Sequence, residues 1–587
     1  MKKVASSAKK FAETMVLVVA SLDFGTTYSG WAYSFTHEFQ QDPTQIKSKH
    51  WNADQFMSNK APTCVLIRSD GKTVDAFGYE AEDKYAKLSQ KNEHKDWYYF
   101  KHFKMKLFES EGLKTNDMLE DATGKPLSAL TVFSLTIKYL HDDLYKTLEN
   151  GTGGSIFKAD INWVLTVPAI WSDMAKQFMR RAAREAGIET GHLTIALEPE
   201  VASIFCRHSK MMRTATSSSV DISMFPSGTR YLVCDAGGGT VDITVHEITS
   251  DMRLKEIEKA SGGAWGGTQV NLEFERLIDT IAGCSVVNAL KEEFMDDYLD
   301  LMATFELKKR EFKDSSEVLL RYPSSLKKLV KKLTDSSLEE QIEKSIYKGK
   351  ISRNRDKLSI EYNVMASLFE STINNIIEHL STLICNHADR QIGHIVMVGG
   401  FSESPLLQRR IKEAFRGQHI IIPAEASLAV LKGAVIFGHN KQSIVSRIAR
   451  FTYGISSGIP FNEYIHPVNR LYIEKDNTKL CVGVFSKLVT VGQSIPVEDA
   501  AGSNNYGPLD DRTYATPIIY ATKEKKPMFT DDPGCFRVGE MYVNFEDRNG
   551  KVGSATISMY FGGTEITVKA VLLSTGEETS VTFDLPD

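Results

Sequence analysis

The sequence predicts an α/β protein that ends in an all-β module. Two observations predict the α/β part: runs that read as buried strands alternate with helical segments, and two of these runs end in the same acidic turn rich in Gly and Thr. The third observation is a change of pattern after about Phe451, where short alternating segments are separated by turn residues. A chain of 587 residues is too long for one core, so two to four domains are expected.

The two acidic turns are the segments with the most specific chemistry. One lies in VVASLDFGTTYSG at residues 18–30, and the other lies in YLVCDAGGGTVDITV at residues 231–245. Consecutive backbone N–H groups in a tight Gly/Thr turn cradle phosphate oxygens, and an Asp at the strand end can hold the waters of Mg²⁺. Two such loops that face each other would grip a polyphosphate from both sides, with Asp23 and Asp235 at the metal. The alternative for each loop alone is a hairpin turn with a capping Asp.

The segment between the loops predicts further units of strand and helix. INWVLTVPAIWSDMAKQFMRRAAREAGI reads as a strand over residues 161–167 and a helix that Ser172 or Asp173 caps and Gly187 ends. TIALEPEVASIF reads as a second strand and helix. Residues 209–229 have the composition of a linker and predict a mobile loop.

The rest of the chain predicts helices, one more strand–turn–helix unit, and then strands. Residues from about 290 to 380 are patterned as helices with charged faces. HIVMVGGFSESPLLQRRIKEAF supplies a buried strand, a Gly-Gly turn and a helix, and HIIIP and a final helix follow. Segments such as EITVKAVLLSTGEETSVTFDL read as strand pairs and predict an all-β module of roughly 135 residues.

Amino-acid composition, net charge and cysteine spacing argue against several classes of protein. Hydrophobic residues make up 42% and charged residues 25%, as in ordinary globular proteins, and the net charge of -5 argues against a nucleic-acid surface. Seven cysteines without metal-type spacing are typical of reduced thiols. No apolar run reaches the length of a membrane span, and Glu13 breaks an N-terminal stretch that imitates an export signal. We expect a cytoplasmic protein, and a monomer.

The motifs LDFGTTYSG, LTVPAIWSD, LEPEVAS, CDAGGGTVD and MVGGFSESP, taken as an ordered set, resemble those of the heat shock protein 70 family in the actin-like ATPase superfamily. The stretches WNADQFMSNKAPTCVLI and WYYFKHFKMKLF resemble its divergent heat shock 70 kDa protein 12 branch. The resemblance covers about residues 16–587. It implies a two-lobed actin-like ATPase fold with duplicated ribonuclease-H-like lobes, followed by the all-β module, with ATP or ADP and Mg²⁺ as cofactors.

The resemblance also implies domain boundaries. They are a flexible N-terminus at 1–15, a nucleotide-binding domain at 16–442 with lobe I at about 16–208 and lobe II at about 229–420, a linker at 443–452, and a β-sandwich at 453–587 that resembles a substrate-binding domain. The join reads KQSIVSRIARF, with Arg447 and Arg450 in place of the family's run of leucines. The chain stops at Asp587, where typical members continue into a helical lid, so trapping of clients by clamping is not expected.

The resemblance implies three groups of site residues. The group at the magnesium and the attacking water is Asp23, Glu198 and Asp235, with both Asp residues acting on the metal through water. The phosphate contacts are Gly25, Thr26, Thr27 and Tyr28 from one lobe and Gly237, Gly238, Gly239 and Thr240 from the other, with Gly266 and Gly267 closing over the nucleotide. The adenosine contacts are Glu306, Lys309, Arg310, Gly399 and Gly400.

Two of these assignments have ordinary alternatives. The glycine pair in GGAWGGTQ also suits a flexible loop. Glu306, Lys309 and Arg310 have the i, i+3, i+4 spacing of one helical face, which on its own favours a solvated, salt-bridged surface.

The sequence departs from the family pattern at two positions in the site. The family's catalytic lysine follows a Gly four residues upstream, and in FGYEAEDKYAK its equivalent is Glu82. An acidic side chain there would repel the charge of the transferring phosphoryl group, unless Lys84 takes the role through a register shift or Glu82 is simply a solvated helix residue. The arginine that covers the adenine corresponds to Glu403, so a cation that could stack on the base is missing at that position.

These observations favour an ATP-binding switch with slow hydrolysis whose lidless β-module engages a protein or peptide. A scaffold that binds nucleotide without turnover is the alternative. A metabolite kinase of the same nucleotide fold is a third possibility, but the sequence offers no acceptor-binding signature.

Overall fold

The computed structural model describes residues 16–53, 56–109, 113–114, 116–208, 225–313, 317–388, 391–509, 512–546, 550–561 and 566–582. Helices and sheets are interleaved along residues 16–448, which confirms the predicted α/β class. The predicted flexible N-terminus at 1–15 lies outside the described residues, as does most of the mobile loop predicted at 209–229.

Residues 16–208 form a six-stranded sheet, three smaller sheets and several helices. The strands are β1 Val18–Asp23, β2 Tyr28–Phe35, β3 Lys47–Ser48, β4 Trp51–Ala53, β5 Phe56–Ser58, β6 Ala61–Pro62, β7 Cys64–Ile67, β8 Val74–Phe77, β9 Tyr98–Lys101, β10 Met118–Glu120, β11 Pro126–Ser128, β12 Ile161–Val167 and β13 Leu193–Leu197. The helices are α1 Thr36–Gln41, α2 Tyr79–Gln90, α3 Lys106–Glu109, α4 Ala129–Thr152, α5 Asp173–Glu185 and α6 Glu198–His208. The six-stranded sheet has the order β13-β12-β1-β2-β3, with β6 paired to β2, and the smaller sheets are β8-β7-β9, β4-β5 and β10-β11.

The strand and helix predicted between the two loops are confirmed. Strand β12 covers residues 161–167 as predicted. The side chain of Ser172 accepts a hydrogen bond from the backbone N–H of Ala175 at the start of α5, so Ser172 rather than Asp173 is the cap. Gly187 follows the end of this helix with a φ of 94°.

The second part of the chain forms a seven-stranded sheet. Its strands and those of a small neighbouring sheet are β14 Arg230–Ala236, β15 Val241–Ile248, β16 Leu254–Gly263, β17 Val318–Arg321, β18 Ile351–Asn354, β19 Lys357–Ile360, β20 His394–Val398, β21 His419–Ile421 and β22 Ile444–Ile448. Its helices are α7 Thr268–Ala282, α8 Cys284–Glu293, α9 Met295–Glu311, α10 Ser324–Thr334, α11 Leu338–Lys344, α12 Tyr362–Asn386, α13 Pro405–Ala414 and α14 Ala429–His439. The sheet has the order β21-β20-β14-β15-β16-β22-β26, with β26 coming from the C-terminal part.

The two sheets repeat one arrangement around the strand that leads into each acidic loop. In the first sheet β1 has parallel β12 on one side and antiparallel β2 on the other, and β13 and β3 follow outward. In the second sheet β14 has parallel β20 and antiparallel β15 in the same positions, and β21 and β16 follow. Each acidic loop therefore joins the middle strand of this shared five-strand arrangement to an antiparallel neighbour.

The prediction of helices from about 290 to 380 is correct only in part. Helices α9 to α12 lie there, but strands β17, β18 and β19 form an antiparallel sheet between them. Strand β17 alternates buried and exposed residues, so its side chains are shared between a core and solvent. Its short length and the charged residues around it hide this period of two within a helix-like pattern.

The C-terminal part is built mainly from strands. They are β23 Thr452–Pro460, β24 Leu471–Ile473, β25 Lys479–Val489, β26 Ser494–Pro496, β27 Ala500–Tyr506, β28 Tyr514–Ala515, β29 Ile518–Thr522, β30 Phe536–Glu540, β31 Val543–Asn544, β32 Ala555–Tyr560, β33 Thr567–Leu572 and β34 Glu578–Thr582. A five-stranded sheet, β24-β25-β23-β29-β30, and a four-stranded sheet, β27-β32-β33-β34, share one core that includes Ile455, Ile519, Ile557 and Val568. Strands β33 and β34 form the hairpin that EITVKAVLLSTGEETSVTFDL predicts.

The segment predicted as a linker is part of the second sheet. Strand β22 pairs in parallel with β16 and antiparallel with β26. A further core lies between the two large sheets, where α6 and α14 pack with Val19 of β1, Val233 of β14 and Val396 of β20. The acidic loops of the two sheets are thereby held close together, at the ends of strands fixed in one body.

Candidate nucleotide-binding site

A cavity of about 450 Å³ lies where the two acidic loops meet. Most of the predicted site residues line it: Asp23, Gly25, Thr26, Thr27, Tyr28, Glu198, Asp235, Gly237, Gly238, Gly239, Thr240, Gly267, Glu306, Lys309, Arg310, Gly399 and Gly400. Gly266 does not line the cavity but touches the second loop from behind. Residues more than 370 positions apart in the chain are thus gathered around one space.

The first acidic loop is a hairpin turn whose Asp is not a cap. Strands β1 and β2 pair antiparallel up to Asp23 and Gly30. The Asp23 carboxylate accepts one hydrogen bond from the Thr166 hydroxyl at 3.0 Å and one from the Lys60 ammonium at 2.5 Å. The hairpin alternative is therefore correct for the backbone, but the carboxylate is bonded to Thr166 of the neighbouring strand β12 and to Lys60 instead of to its own turn.

The two loops touch each other directly. A Cβ on Gly238 would lie 1.6 Å from Oγ1 of Thr27, and a Cβ on Gly239 would lie 2.6 Å from Cγ2 of Thr26. Only a residue without a side chain fits at these points, which explains the Gly run of CDAGGGTVD. The expectation that the loops face each other is confirmed by these distances.

The segment after β16 is held against the second loop. The N–H groups of Gly266, Gly267 and Thr268 donate to the carbonyl oxygens of Gly239, Gly237 and Gly238 at 3.1, 3.1 and 2.8 Å. These bonds engage three carbonyls that would otherwise repel an anion, and they fix the segment in place. The flexible-loop alternative for the glycine pair is not what the structure shows.

Three carboxylates are buried beside the two loops, and the carboxylate of Glu198, at the start of α6, lies near them. Asp23, Asp235 and Asp242 are at most 5% exposed. Burial, and then the charges of Glu198, Asp242 and Asp23, raise the pKa of Asp235 well above its usual range. Burial raises the pKa of Glu198 to about 7, with Asp23 and Asp242 adding to the effect and Lys104 opposing it. Such a cluster favours the binding of positive charge or protons.

Asp242 is a member of this cluster that the sequence reasoning did not single out. It pairs with Asp235 across the β14–β15 ladder and accepts hydrogen bonds from the backbone N–H of Ile170 and the hydroxyl of Thr240. Burial raises its pKa, and these two hydrogen bonds oppose that rise. Its signal in the sequence is the second Asp of the DAGGGTVD motif, which closes the same turn.

The described residues contain no group of three or more acidic, His or Cys side chains placed to ligate a metal ion directly. The predicted contact of Asp23 and Asp235 with Mg²⁺ runs through water, so it stays a prediction. The carboxylates fit that role chemically, because hard oxygen ligands with room for several waters suit Mg²⁺.

Two lysines in the cavity were missed by the sequence reasoning. The Lys60 ammonium lies 2.5 Å from the Asp23 carboxylate, and the Lys104 ammonium lies 3.0 Å from the Glu198 carboxylate. Lys104 is 1% exposed, which is rare for a lysine. Lys60 lies in WNADQFMSNKAPTCVLI and Lys104 lies in WYYFKHFKMKLF, the two stretches that resemble the family's divergent branch, and this was the signal that could have found them. Their carboxylate partners become visible only in the folded chain.

The expectation that Glu82 or Lys84 stands at the phosphates is wrong. Both lie on α2, and neither lines the cavity. The Glu82 carboxylate pairs with the Lys101 ammonium at 2.7 Å. The Lys84 ammonium pairs with Asp75 at 3.2 Å and with Glu80 at 2.9 Å. The motif resemblance misplaced these two residues, because their side chains on α2 pair with residues outside the cavity.

The helix predicted to contact adenosine forms the opposite wall of the cavity. On α9, the Glu306 carboxylate pairs with Lys309 at 2.5 Å and with Arg310 at 2.9 Å. Burial raises the pKa of Glu306, but Lys309 and Arg310 outweigh that effect and lower the value to about 2. Glu306, Lys309 and Arg310 therefore form the salt-bridged helix face that their spacing favours, and this same face lines the cavity.

This wall is bonded to the segment after β16 and contacts the strand that follows the first loop. The Lys309 ammonium donates to the carbonyl of Gly267 at 3.1 Å and to the side chain of Asn271 at 2.8 Å. The Arg310 guanidinium lies over the Tyr28 ring at 4.6 Å. A cation of α9 is therefore stacked on an aromatic ring of β2, and both residues line the cavity.

The Gly-Gly turn after β20 approaches the second loop closely. Gly399 has a φ of 84°, and a Cβ there would lie 2.4 Å from Oδ1 of Asp235. Glu403 lines the same end of the cavity and accepts a hydrogen bond from the backbone N–H of Ser427 at 3.2 Å. The acidic replacement noted in the sequence therefore lies in the site itself.

Strand β22 and the residues after it are tied to the floor of the site. The Arg447 guanidinium forms two hydrogen bonds of 2.8 Å to the Glu200 carboxylate on α6, the helix that begins at Glu198. Arg450 donates to the carbonyls of Ala169, Ile170 and Trp171. The two arginines that replace leucines in the predicted linker are thus anchors to the first sheet.

Comparison with known proteins gives three kinds of likeness. A family model described as "Domain of unknown function (DUF8340)" matches residues 227–425. The chain is 33% identical to human heat shock 70 kDa protein 12A and 30% identical to human heat shock 70 kDa protein 12B, each match covering 97% of this chain and 91% of the relative. It is 28% identical to the chaperone protein DnaK of Thermotoga neapolitana over 46% of this chain and 39% of DnaK. Within the described residues, no helix is both long enough and apolar enough to cross a membrane.

Proposed function

Because the chain belongs to the heat shock protein 70 family, in the branch of the 12A and 12B proteins, we propose that it binds ATP and ADP with Mg²⁺ in this cavity. We further propose that it acts as a nucleotide-dependent switch with slow ATP hydrolysis. The observation that carries the proposal is the contact between the two Gly/Thr loops, in which Gly238 meets Thr27 beside a buried carboxylate cluster.

The repeated strand order supports a two-lobed actin-like arrangement. Each lobe would contribute one acidic loop from its central strand, and the nucleotide would lie between them. The cavity has a suitable size, since small-molecule sites are usually about 300–1,000 Å³.

The loops offer donors suited to phosphate oxygens. The hydroxyls of Thr26, Thr27 and Thr240 line the cavity together with the backbone of the glycines. A bound Mg²⁺ supplies positive charge between the phosphates and the carboxylates. Asp23 and Asp235 would hold its water ligands through their carboxylate oxygens.

Glu198 is suited to hold or release a proton near neutral pH. Its pKa of about 7 places it between the charged and neutral forms, where a general base is most useful. It lies in the same cavity as Asp23 and Asp235, so a water activated by Glu198 would be near the metal's water shell.

The opposite wall is suited to the nucleoside. Lys309 bridges Gly267 and Asn271 and so fixes α9 to the segment that closes the second loop. Glu403 brings a carboxylate where the family carries an arginine, and we propose that the stack of Arg310 on Tyr28 supplies the cation at this end.

Calorimetric titration with ATP and ADP, with and without Mg²⁺, tests the proposal. Gly238→Val should abolish binding, because the new side chain must force the loops apart at the contact with Thr27. Gly393→Val is the matched control, since nothing lies within 4 Å of a Cβ at Gly393. Wild-type affinity in a folded Gly238→Val protein would contradict the proposal.

A scaffold that binds nucleotide without turnover remains the second candidate. It is favoured by one observation: among the described residues, the three lysines that line the cavity are already paired with carboxylates, Lys60 with Asp23, Lys104 with Glu198 and Lys309 with Glu306. Single-turnover hydrolysis, measured with excess protein over labelled ATP, separates the two candidates. Binding without any hydrolysis above the rate in buffer would favour the scaffold.

We also propose that the C-terminal strands engage a protein or peptide. Residues between β23 and β24 present exposed apolar side chains, among them Tyr464 at 88% and Val468 at 79% exposure. Replacing both with Ser should weaken capture of an unfolded model protein in a pull-down. Tyr514→Ser, on a different exposed surface, is the control. Equal capture by the wild type, the double variant and Tyr514→Ser would argue against partner binding at the surface of Tyr464 and Val468.

A further inference from the structure

We propose that a basic surface on the second part of the chain binds the anionic headgroups of a lipid bilayer. The surface lies on helix α10 and on the adjoining strands β17 and β19. None of its residues lines the nucleotide cavity. Its cations, all exposed, are Arg321, Lys327, Lys328, Lys331, Lys332 and Lys357.

The segment that carries this surface is strongly positive in a chain that is negative overall. Residues 318–357 contain eleven Lys and Arg residues but five Asp and Glu residues, whereas the whole chain has a net charge of -5. A local excess of one sign attracts a partner of the opposite sign.

Helix α10 is amphipathic, and its outer face carries charges of one sign. Its buried residues are Ser325, Leu326, Leu329 and Val330. Its four lysines are exposed, and the helix contains no acidic residue. Two pairs of lysines therefore stand four positions apart, where like charges destabilise a helix.

Exposed helices elsewhere in the chain combine the two signs at this spacing. Lys84 pairs with Glu80 on α2, and Lys138 pairs with Asp142 on α4. Each of these pairs supports its helix, so the uniform charge of α10 is not a general habit of this chain.

The acidic residues near α10 balance its charge only in part. Lys331 pairs with Asp335 at 3.1 Å and Lys332 pairs with Glu293 at 3.4 Å, but both pairs are exposed, where solvent screens them. The other two lysines of the helix form no ion pair with a described residue. Unbalanced charge of this kind costs stability, which is expected where a partner supplies the opposite charge.

The sheet next to this helix repeats the pattern. Arg321 of β17 lies directly opposite Lys357 of β19, where like charges destabilise a strand pair. Asp356 pairs with Arg321 at 3.0 Å. The backbone N–H of Tyr322 donates to the carbonyl of Asp356 at 3.1 Å, and its hydroxyl donates to the carbonyl of Arg355 at 3.1 Å. These two bonds hold the turn between β18 and β19 against the start of α10.

The side chains of this surface favour lipid headgroups over nucleic acid. Five of its six cations are lysines, which act as point charges, while arginine supplies the paired donors that recognise bases and single phosphates. No aromatic residue within 318–357 is exposed for stacking on bases. Leu319, on the same side of β17 as Arg321, is 42% exposed, and Leu333 at the end of α10 is 44% exposed. Lysines beside exposed aliphatic side chains are typical of surfaces that lie on an anionic bilayer.

Co-sedimentation of the full chain with lipid vesicles tests the proposal. One set of vesicles is phosphatidylcholine alone, and in the other set about one lipid in three is phosphatidylserine. We expect binding to the phosphatidylserine vesicles only, and weaker binding as the salt concentration is raised, because salt screens the charges. The measurement needs no nucleotide, so its result does not depend on the proposed ATP site.

Two charge variants locate the binding. Lys327→Gln combined with Lys328→Gln should lower the partition constant about 25-fold, because each cation near the membrane surface contributes about fivefold. Arg321→Gln combined with Lys357→Gln should lower it by a similar factor, since these two cations belong to the adjoining sheet.

A matched variant controls for net charge. Lys525→Gln combined with Lys526→Gln removes two adjacent exposed lysines from the C-terminal part. It changes the charge of the chain by the same amount and should change binding less than about twofold.

Thermal unfolding separates binding from folding. Lys327→Gln combined with Lys328→Gln removes two repulsions at the i, i+4 spacing, so its transition temperature should be unchanged or slightly higher than in the wild type. A clear drop would mean that these lysines stabilise the helix, and would contradict the argument from unbalanced charge.

Three binding results would overturn the proposal. The first is equal binding of the wild type to both kinds of vesicle. The second is binding of both charge variants as tight as that of the matched control. The third is tighter binding of the wild type to double-stranded DNA than to phosphatidylserine vesicles in the same buffer, which would make nucleic acid the partner of this surface.

Discussion

The buried ion pair between Arg447 and Glu200 gives the sharpest prediction of a loss in stability. The Nε and Nη2 atoms of Arg447 donate to the two carboxylate oxygens of Glu200 at 2.8 Å each. The two side chains are 10% and 2% exposed. The pair joins strand β22 to helix α6, which begins at Glu198. Arg447→Met keeps most of the apolar stem and removes the charge, and so leaves Glu200 buried without its partner.

The size of the loss can be worked out from the surroundings of the pair. Removing one partner of a buried pair costs about 3–5 kcal/mol, because an unpaired charge remains in the interior. A second carboxylate is close by: burial raises the pKa of Glu256 to about 8, the Glu200 charge adds to that rise, and Arg447 opposes it. Without Arg447 the two carboxylates repel one another. We therefore expect a loss near the upper end, about 4–5 kcal/mol.

The assay is urea unfolding of the wild type, Arg447→Met, Glu200→Gln and the double variant at pH 8. The double variant should recover most of the loss, since it leaves no unpaired charge at this position. The pH dependence follows from Glu256. A carboxyl group whose folded pKa is raised stabilises the fold below its unfolded pKa of about 4, and that contribution is lost as the pH rises through about 8. The loss caused by Arg447→Met should thus be smaller at pH 6 than at pH 9.

Two results would refute this reasoning. A loss below about 1 kcal/mol in Arg447→Met would mean that solvent reaches the pair and screens it. A double variant that is as unstable as the sum of the single variants would mean that the two side chains are not coupled.

Three further predictions concern the cavity. Affinity for magnesium-ATP should rise between pH 6 and pH 8, because Glu198, with a pKa of about 7, gains its charge in this range and favours the metal. Glu198→Gln should flatten this pH profile in calorimetry. An unchanged profile would contradict the role of the Glu198 charge in binding. Lys309→Met should weaken ADP binding about tenfold or more, because it removes the bond between α9 and Gly267. In the control, Lys308→Met, the lost partner is Glu311, and ADP should bind as in the wild type. Glu82→Lys should leave single-turnover hydrolysis unchanged, because Glu82 lies outside the cavity; a rise in rate would show that α2 reaches the site.

The sequence predicted much of the local structure because short-range patterns determine it. Strand β12, the Ser172 cap and the final hairpin β33–β34 follow from residue period, capping chemistry and turn residues that lie within a few positions of one another. The two acidic loops were found for the same reason: each is a continuous motif, and the chemistry of Gly, Thr and Asp in a tight turn is local.

The prediction for residues 290–380 failed where local signals compete. Strands β17, β18 and β19 are four residues long each, and their charged neighbours give a helix-like pattern. Pairing with one another and burial of Leu320 and Leu358 decide their conformation. Such contacts are not visible in a window of sequence.

The sequence by itself determined that two acidic Gly/Thr loops exist and that Asp23 and Asp235 end the strands before them. Only the tertiary structure decided which cations enter the site. Glu82 lies on α2 and pairs with Lys101 outside the cavity, while Lys104 is brought to Glu198 by the turn after β9. The physical reason is that a buried charge must be matched by a partner in space, and distance in space is set by the packing of the whole fold and not by spacing along the chain.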